Sequence, residues 1–184
     1  MDTFNELDHP RLAGRFVDKE QSRPEMGLLL ADVAEPVDEV NPFDYEFPAT
    51  DPLTTGNGIE ELARLDNWMI DTWIAGHPNV GLDTQLALYE RGDLGTRARV
   101  VRNPVAHGAL LAQACRDRAT DIRMLAAGHA NTREQDQLEL AADPLPQVQN
   151  ALLDNPALSP VAKAALRNST HAYIQERFVS LDAA

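Results

Sequence analysis

The chain has one cysteine, Cys115, in 184 residues. A lone thiol excludes an internal disulfide and any metal or cluster site built from several cysteines. Ala112, Ala114 and Ala119 around it suggest an inert thiol packed in a helix. No apolar run reaches the roughly 18 residues that a membrane-spanning helix requires. The opening residues, Met1 to Glu6, are acidic and lack the basic and apolar stretches of a secretory signal. The expectation is a cytoplasmic protein without membrane contact. Catalytic signatures are also missing. There is no pair of histidines one helical turn apart, no nucleophile elbow and no dinucleotide fingerprint. Gly56-Asn57-Gly58 lacks the Lys-Ser/Thr that follows a phosphate-binding loop. His9, His107 and His171 have no second ligand at metal-binding spacing. These absences predict no metal, no cofactor and no catalytic residue, so a protein that binds and is not an enzyme.

The net charge of −13 is unevenly distributed. Residues 1–60 carry 14 acidic and 4 basic side chains. Residues 61–184 carry 15 acidic and 12 basic ones. Within 91–133 the sign reverses, with eight arginines against Asp93, Asp117 and Asp121. Such asymmetry speaks to association and solubility, not to fold.

A repeat runs through the rest of the chain. Ile74-Ala75-Gly76-His77-Pro78-Asn79 returns as Val101-Arg102-Asn103-Pro104, as Ala126-Ala127-Gly128-His129-Ala130-Asn131 and as Leu153-Asp154-Asn155-Pro156. A second landmark follows each. Asp93-Leu94-Gly95-Thr96-Arg97-Ala98-Arg99 aligns with the segment from Asp117 to Arg123, then with Asp143 to Gln149, and more loosely with Ser169 to Gln175. These copies are 24, 26 and 26 residues apart. A degenerate earlier copy places Asn67 at the Asp93 position and Trp73 at the Arg99 position.

Each landmark has a physical role. Asp93, Asp117, Asp143 and Ser169 are N-cap types, predicted to bond the free N–H groups that open a helix. Ala98, Ile122, Val148 and Ile174 follow five residues later and are predicted to face the core. Asn-Pro or Gly-His ends the helix and turns the chain. The next helix carries its apolar residues at helical spacing: Leu82, Leu86 and Tyr89, then Leu110, Leu111 and Ala114, then Leu138, Ala141 and Ala142, then Val161, Ala164 and Ala165. Helices this short are marginal alone, so stacked neighbours must supply the missing apolar contacts. The predicted units are about 59–73, 74–99, 100–123, 124–149 and 150–175, in an all-α repeat domain over 59–178 with a tail at 179–184.

This recurring pattern, Asn-Pro followed by Leu and Ala positions and then Asp-x-x-Thr/Pro-x-apolar-Arg/Gln, resembles the leucine-rich repeat variant family over about residues 60–178. That family is a short relative of the HEAT and armadillo repeats. The resemblance implies a right-handed α-solenoid of helix pairs, some of them 3-10, that serves as a binding surface. Some members carry a cysteine-ligated iron–sulfur cluster, for which this chain lacks the cysteines.

Residues 1–58 read differently. Pro10, Pro24, Pro36, Pro42, Pro48 and Pro52 break helices and leave strands short of donors. The expectation is a largely irregular acidic arm, partly extended, with one short helix over 25–33. The stretch Asp8 to Lys19 followed by Ser22-Arg23-Pro24-Glu25 resembles tails of small actinobacterial and phage-encoded proteins. Phe43, Tyr45 and Phe47 alternate with acids. They either dock in a groove or cover the open end of the repeat stack.

Two further groups are candidate sites. Arg99 and Arg123 are predicted to stand in register on successive repeats, with Arg91, Arg97, Arg102, Arg116 and Arg118 nearby. That basic face is a solvated surface neutralised by Asp117 and Asp121, a seat for the chain's own acidic arm, or a site for an acidic protein or nucleic-acid phosphate. His77 and His129 share a repeat position two units apart, roughly 20 Å at one helix diameter per unit, too far to hold one metal. They read as helix-end caps. Trp68 and Trp73 read as core, with one of them as an exposed anchor in the alternative. Three functions follow: a protein–protein interaction module, a phage-type inhibitor whose acidic surface imitates nucleic acid, and a nucleic-acid binder using the arginine ladder. The charge of −13 disfavours the last.

Overall fold

A computed structural model describes residues 41–182 of the chain. Among them every regular element is a helix. A 3-10 turn over Pro42–Tyr45 leads into α1 (Glu46–Thr50). Then come α2 (Gly56–Ala63), α3 (Trp68–Ile74), α4 (Leu82–Arg91) and α5 (Leu94–Arg102). They are followed by α6 (Gly108–Ala114), α7 (Thr120–Ala127) and α8 (Glu134–Ala141). The last three are α9 (Pro146–Leu153), α10 (Pro160–Arg167) and α11 (Ala172–Asp182).

The starts of these helices keep a fixed step. Even-numbered helices begin at 56, 82, 108, 134 and 160. From α3 onward the odd-numbered ones begin at 68, 94, 120, 146 and 172. Both series advance by 26 residues, the same separation that joins His77 to Asp51 and Asn103 to His77. Each odd helix packs on the next odd helix. Among the even helices, α2 packs on α4, α4 on α6, and α8 on α10.

The core is a set of columns at this period. Leu62, Leu88, Ala114, Leu140 and Leu166 form one, from the even helices, and all are buried. Ile74, Val100, Ala126, Leu152 and Phe178 form another, from the odd helices. Ile70, Thr96, Ile122, Val148 and Ile174 form a third. A helix of two turns here buries only two to four residues, so its stability comes from the columns on either side. Local signals fix where several of these helices start. Asn67 Oδ1 accepts from the N–H of Met69 (3.0 Å), Asp93 Oδ1 from Thr96 (2.8 Å) and Ser159 Oγ from Ala162 (3.1 Å). Proline opens α9 and α10, where its missing N–H has no helical partner to lose. Between α4 and α5 only Gly92 and Asp93 intervene. A Cβ on Gly92 would lie 2.5 Å from the Leu88 carbonyl oxygen, which demands glycine there.

Several expectations change. Residues 42–50 and 56–63 are helical, so the irregular arm does not extend to 58. Residues 1–40, with the short helix expected over 25–33, lie outside the described residues. At the other end, the expected tail is helical as far as Asp182. The core position expected at Ala98 belongs to Thr96, which is 3% exposed, while Ala98 is half-buried. In the even helices Leu138, Val161 and Ala164 face outward, and Leu140, Ala162 and Leu166 are buried instead. Asp117 and Asp143 lie two residues ahead of the true cap position. They bond the N–H of Ala119 (2.8 Å) and Leu145 (3.0 Å), and Ser169 likewise bonds His171. The 24-residue spacing comes from aligning Asp93 with Asp117, whose true counterpart is Arg91.

Ile122 is fully buried between like positions of α5 and α9. We expect Ile122→Asp to abolish the cooperative melting transition, because an unpaired carboxylate would be forced into the core. Circular dichroism melting checks this, and an unchanged curve would place Ile122 outside the core.

Candidate interaction surface

The arginines expected to form a basic site are mostly committed to this chain's own carboxylates. Arg91 bonds Asp71 through Nε (2.8 Å) and Nη2 (2.6 Å). Arg97 Nη1 bonds Asp117 Oδ2 (2.8 Å), and Arg123 Nε bonds Asp143 Oδ2 (2.7 Å). Each of these pairs spans 20 residues, and Ser169 Oγ donates to Gln149 across the same interval (2.6 Å). One interaction thus recurs four times, with its charges reversed in the first copy and absent from the last. Arg116 pairs with Asp136 and Glu139. The bonded carboxylates of Asp71, Glu139 and Asp143 hold the guanidinium pKa values of Arg91, Arg116 and Arg123 above their ordinary level.

The ladder register is therefore Arg97 with Arg123, not Arg99 with Arg123. Arg99 is exposed, and its Nη1 lies 3.3 Å from the Thr72 carbonyl. Arg99, Arg102 and Arg118 are exposed and have no carboxylate partner among the described residues.

The Asp117 carboxylate is shared by three different residues. Besides Arg97 and the Ala119 N–H, it accepts a bond from Tyr89 Oη (2.5 Å). Its side chain is 4% exposed. Asp117→Ala removes all three bonds and leaves Arg97 and Tyr89 without their partner. The expected loss is about 2–4 kcal/mol, more than a simple cap contributes. Denaturant unfolding measures it, and a loss within a few tenths of a kcal/mol would refute the shared role.

The histidines are structural in a more specific way than helix-end capping. His77 Nδ1 accepts the N–H of Asn79 (3.1 Å), and His129 Nδ1 that of Asn131 (3.0 Å). The opposite nitrogens reach the Asp51 and Asn103 carbonyls, at 2.8 and 3.0 Å. Both rings are therefore the Nε2–H tautomer. His107 caps α6 through Nδ1 (3.2 Å from the Ala109 N–H). His171 stands just ahead of α11, and His9 lies outside the described residues. No group of three or more potential ligands for a metal occurs among the described residues.

Burial pushes the Cys115 thiol up to about 12, from an ordinary value of 9.0, with the Asp136 charge adding to the effect. Burial, then the bond to Asp117, raises Tyr89 well above its ordinary 10.0. From pH 9 upward the unfolded chain releases protons that the folded chain retains, so stability falls as pH rises. We expect the melting temperature to drop through pH 9–11, and Cys115→Ala to flatten the first part of that drop. A melting temperature constant over this range would show that neither group stays protonated in the fold.

Three aromatic side chains near the start of the described residues are largely exposed. Trp68 is 70% exposed, Phe43 65% and Phe47 64%. Trp68 is thus exposed and not core. Trp73 is half-buried, with its ring centroid 6.3 Å from that of Phe43. Tyr45 is half-buried, and Pro48 and Ala49 are the residues of this segment that are buried. Phe43 and Phe47 sit on helical turns, not on an extended arm. Farther along the row, a groove of about 450 Å³ follows α5. Leu94, Ala98, Met124 and Leu125 line it, with Arg102 and Asp121 also on its walls. The repeat landmarks do not mark this groove, whose lining includes Gly95 and Ala98 where Met69 and Thr72 stand one repeat earlier.

Comparison with protein-family models, with characterised proteins and with solved structures finds no match. No helix among the described residues is long and apolar enough to cross a membrane.

Proposed function

We propose that the chain is a short α-solenoid, similar in plan to the leucine-rich repeat variants, that works as a non-enzymatic protein–protein interaction module. The observation that carries this reading is the exposure of large aromatic side chains at the start of the described residues. Phe43, Phe47 and Trp68 are each about two-thirds exposed there. Large exposed aromatic side chains are the kind that interaction sites use as anchors. The regular 26-residue step supports the solenoid reading, since a row of equivalent helices presents a continuous face for a partner.

Direct nucleic-acid binding draws less support. Arg91, Arg97, Arg116 and Arg123 already pair with carboxylates, which leaves Arg99, Arg102 and Arg118 for phosphate. The nucleic-acid-mimic reading rests on the acidic arm over 1–58 and its phage-like tail, most of which lies outside the described residues.

The test uses the full chain and a Phe47→Ser/Trp68→Ser variant as affinity baits, followed by reconstitution of any complex from purified components. Both substitutions are on exposed side chains, so the melting curve should hold. The expected result is a purified partner bound by the wild-type chain and lost, by about tenfold or more in affinity, from the variant. If no purified protein binds in a way that depends on this face, the interaction reading is wrong.

A further inference from the structure

The groove beside α5 has a defined length and opposite charges. Along α5 it is lined by Leu94, Gly95, Ala98 and Arg102, a stripe down the whole helix. Across from it stand Asp121, Met124 and Leu125 of α7, with Ala151 of α9. Helices α5 and α7 run in the same direction. Arg97 meets Asp117 near their N-terminal ends, and His129 meets Asn103 just past their C-terminal ends. Arg102 therefore stands at the C-terminal end of the groove and Asp121 at the N-terminal end. Both are exposed and lack an ion-pair partner among the described residues. Between them the wall is apolar.

We infer that this groove takes an amphipathic helix from a partner protein, lying antiparallel to α5, with a carboxylate in its first turn against Arg102 and a cation in its last turn against Asp121. This rests on the interaction reading above and adds the chemistry of the partner. Three arguments fix it. The groove's apolar middle accepts side chains spaced one turn apart on a helix. Arg102 and Asp121 stand about seven helical positions apart along the row, or roughly 10 Å, two turns of a partner helix. In the antiparallel sense, the partner's acid falls at its own N-terminus and its base at its C-terminus, where each is favoured by the helix dipole. The parallel sense would place both charges at the disfavoured ends. The small residues Gly95 and Ala98 let the incoming helix approach closely; Met69 and Thr72 occupy those positions in α3.

The experiment is selection of a displayed library of random helical peptides against the full chain, followed by fluorescence anisotropy with an enriched peptide. Enriched sequences should carry apolar residues at i, i+3 or i+4 and i+7, with an acid ahead of a base by about seven residues. Ala98→Trp fills the groove and should weaken binding by about tenfold or more. Arg102→Glu should weaken it comparably, and replacing the peptide's acid by lysine should restore binding to that variant. Peptides that bind Ala98→Trp and the wild type equally overturn the inference. If those same peptides are lost on Phe47→Ser/Trp68→Ser, the interaction reading stands and only the groove falls. A self-associated chain that becomes monomeric on Ala98→Trp also overturns it, because the groove then belongs to a second copy. A selection that enriches no peptide counts against both.

Discussion

The structure depends on bonds that reach back by one repeat from side chain to main chain. His77 bonds the Asp51 carbonyl, Asn103 the His77 carbonyl, His129 the Asn103 carbonyl and Asn155 the His129 carbonyl. Each of these separations is 26 residues. Each of these side chains also accepts the N–H two residues ahead, at Asn79, Val105, Asn131 and Ala157. A loop after a helix must satisfy the free carbonyls of that helix. Here the next repeat supplies the donors. Each bond contributes only about 1 kcal/mol, but a buried carbonyl left unpaired costs more. The chain can therefore add a repeat only at the register in which these bonds close, and that fixes the step.

The repeats alternate in how they close it. In the histidine repeats the ring donates to one carbonyl, and Asn79 or Asn131 two residues later donates to two more. In the asparagine repeats one amide reaches two carbonyls by itself, Ala75 and His77 for Asn103, Ala127 and His129 for Asn155. The histidine repeats also reach forward. Gln85 donates to Val105 and accepts from His107, and Gln137 does the same with Ala157 and Ser159. The physical unit is thus a pair of repeats, linked both backward and forward.

Much of this was legible in the residues. Asn-Pro and Gly-His marked the turns correctly because they sit where the repeats are joined. Ile122, Val148 and Ile174 read as core and are fully buried. The errors share one cause, which is reading a residue type without its position. Aspartate serves at the cap in Asp93 but two residues earlier in Asp117 and Asp143, where it also meets an arginine 20 residues upstream. Proline read as a helix breaker, yet Pro42 and Pro48 stand in first turns, where no helical bond is lost. Tryptophan read as core, yet Trp68 holds the first position of α3 and points out. The ion pairs were hidden because no sequence pattern states that Asp71–Arg91 and Arg97–Asp117 are the same contact with its charges exchanged.

That exchange separates what the fold requires from what it leaves open. At the inward column the chain uses Pro48, Ile74, Val100, Ala126, Leu152 and Phe178, all buried and all apolar apart from the backbone constraint of proline. One residue earlier in each helix the column reads Phe47, Trp73, Arg99, Leu125, Ala151 and Arg177. Adjacent positions on the same helices thus differ sharply. The inner one is restricted by packing density, where a change of even one methylene is felt. The outer one mixes aromatic, aliphatic and cationic side chains without disturbing the step. Side-chain size there runs from the rings of Phe47 and Trp73 to the methyl of Ala151 and back up to Arg177. The inner column thus carries the packing requirement of the fold, while the outer one is filled by side chains with different local contacts, Trp73 against Phe43 and Arg99 on the Thr72 carbonyl.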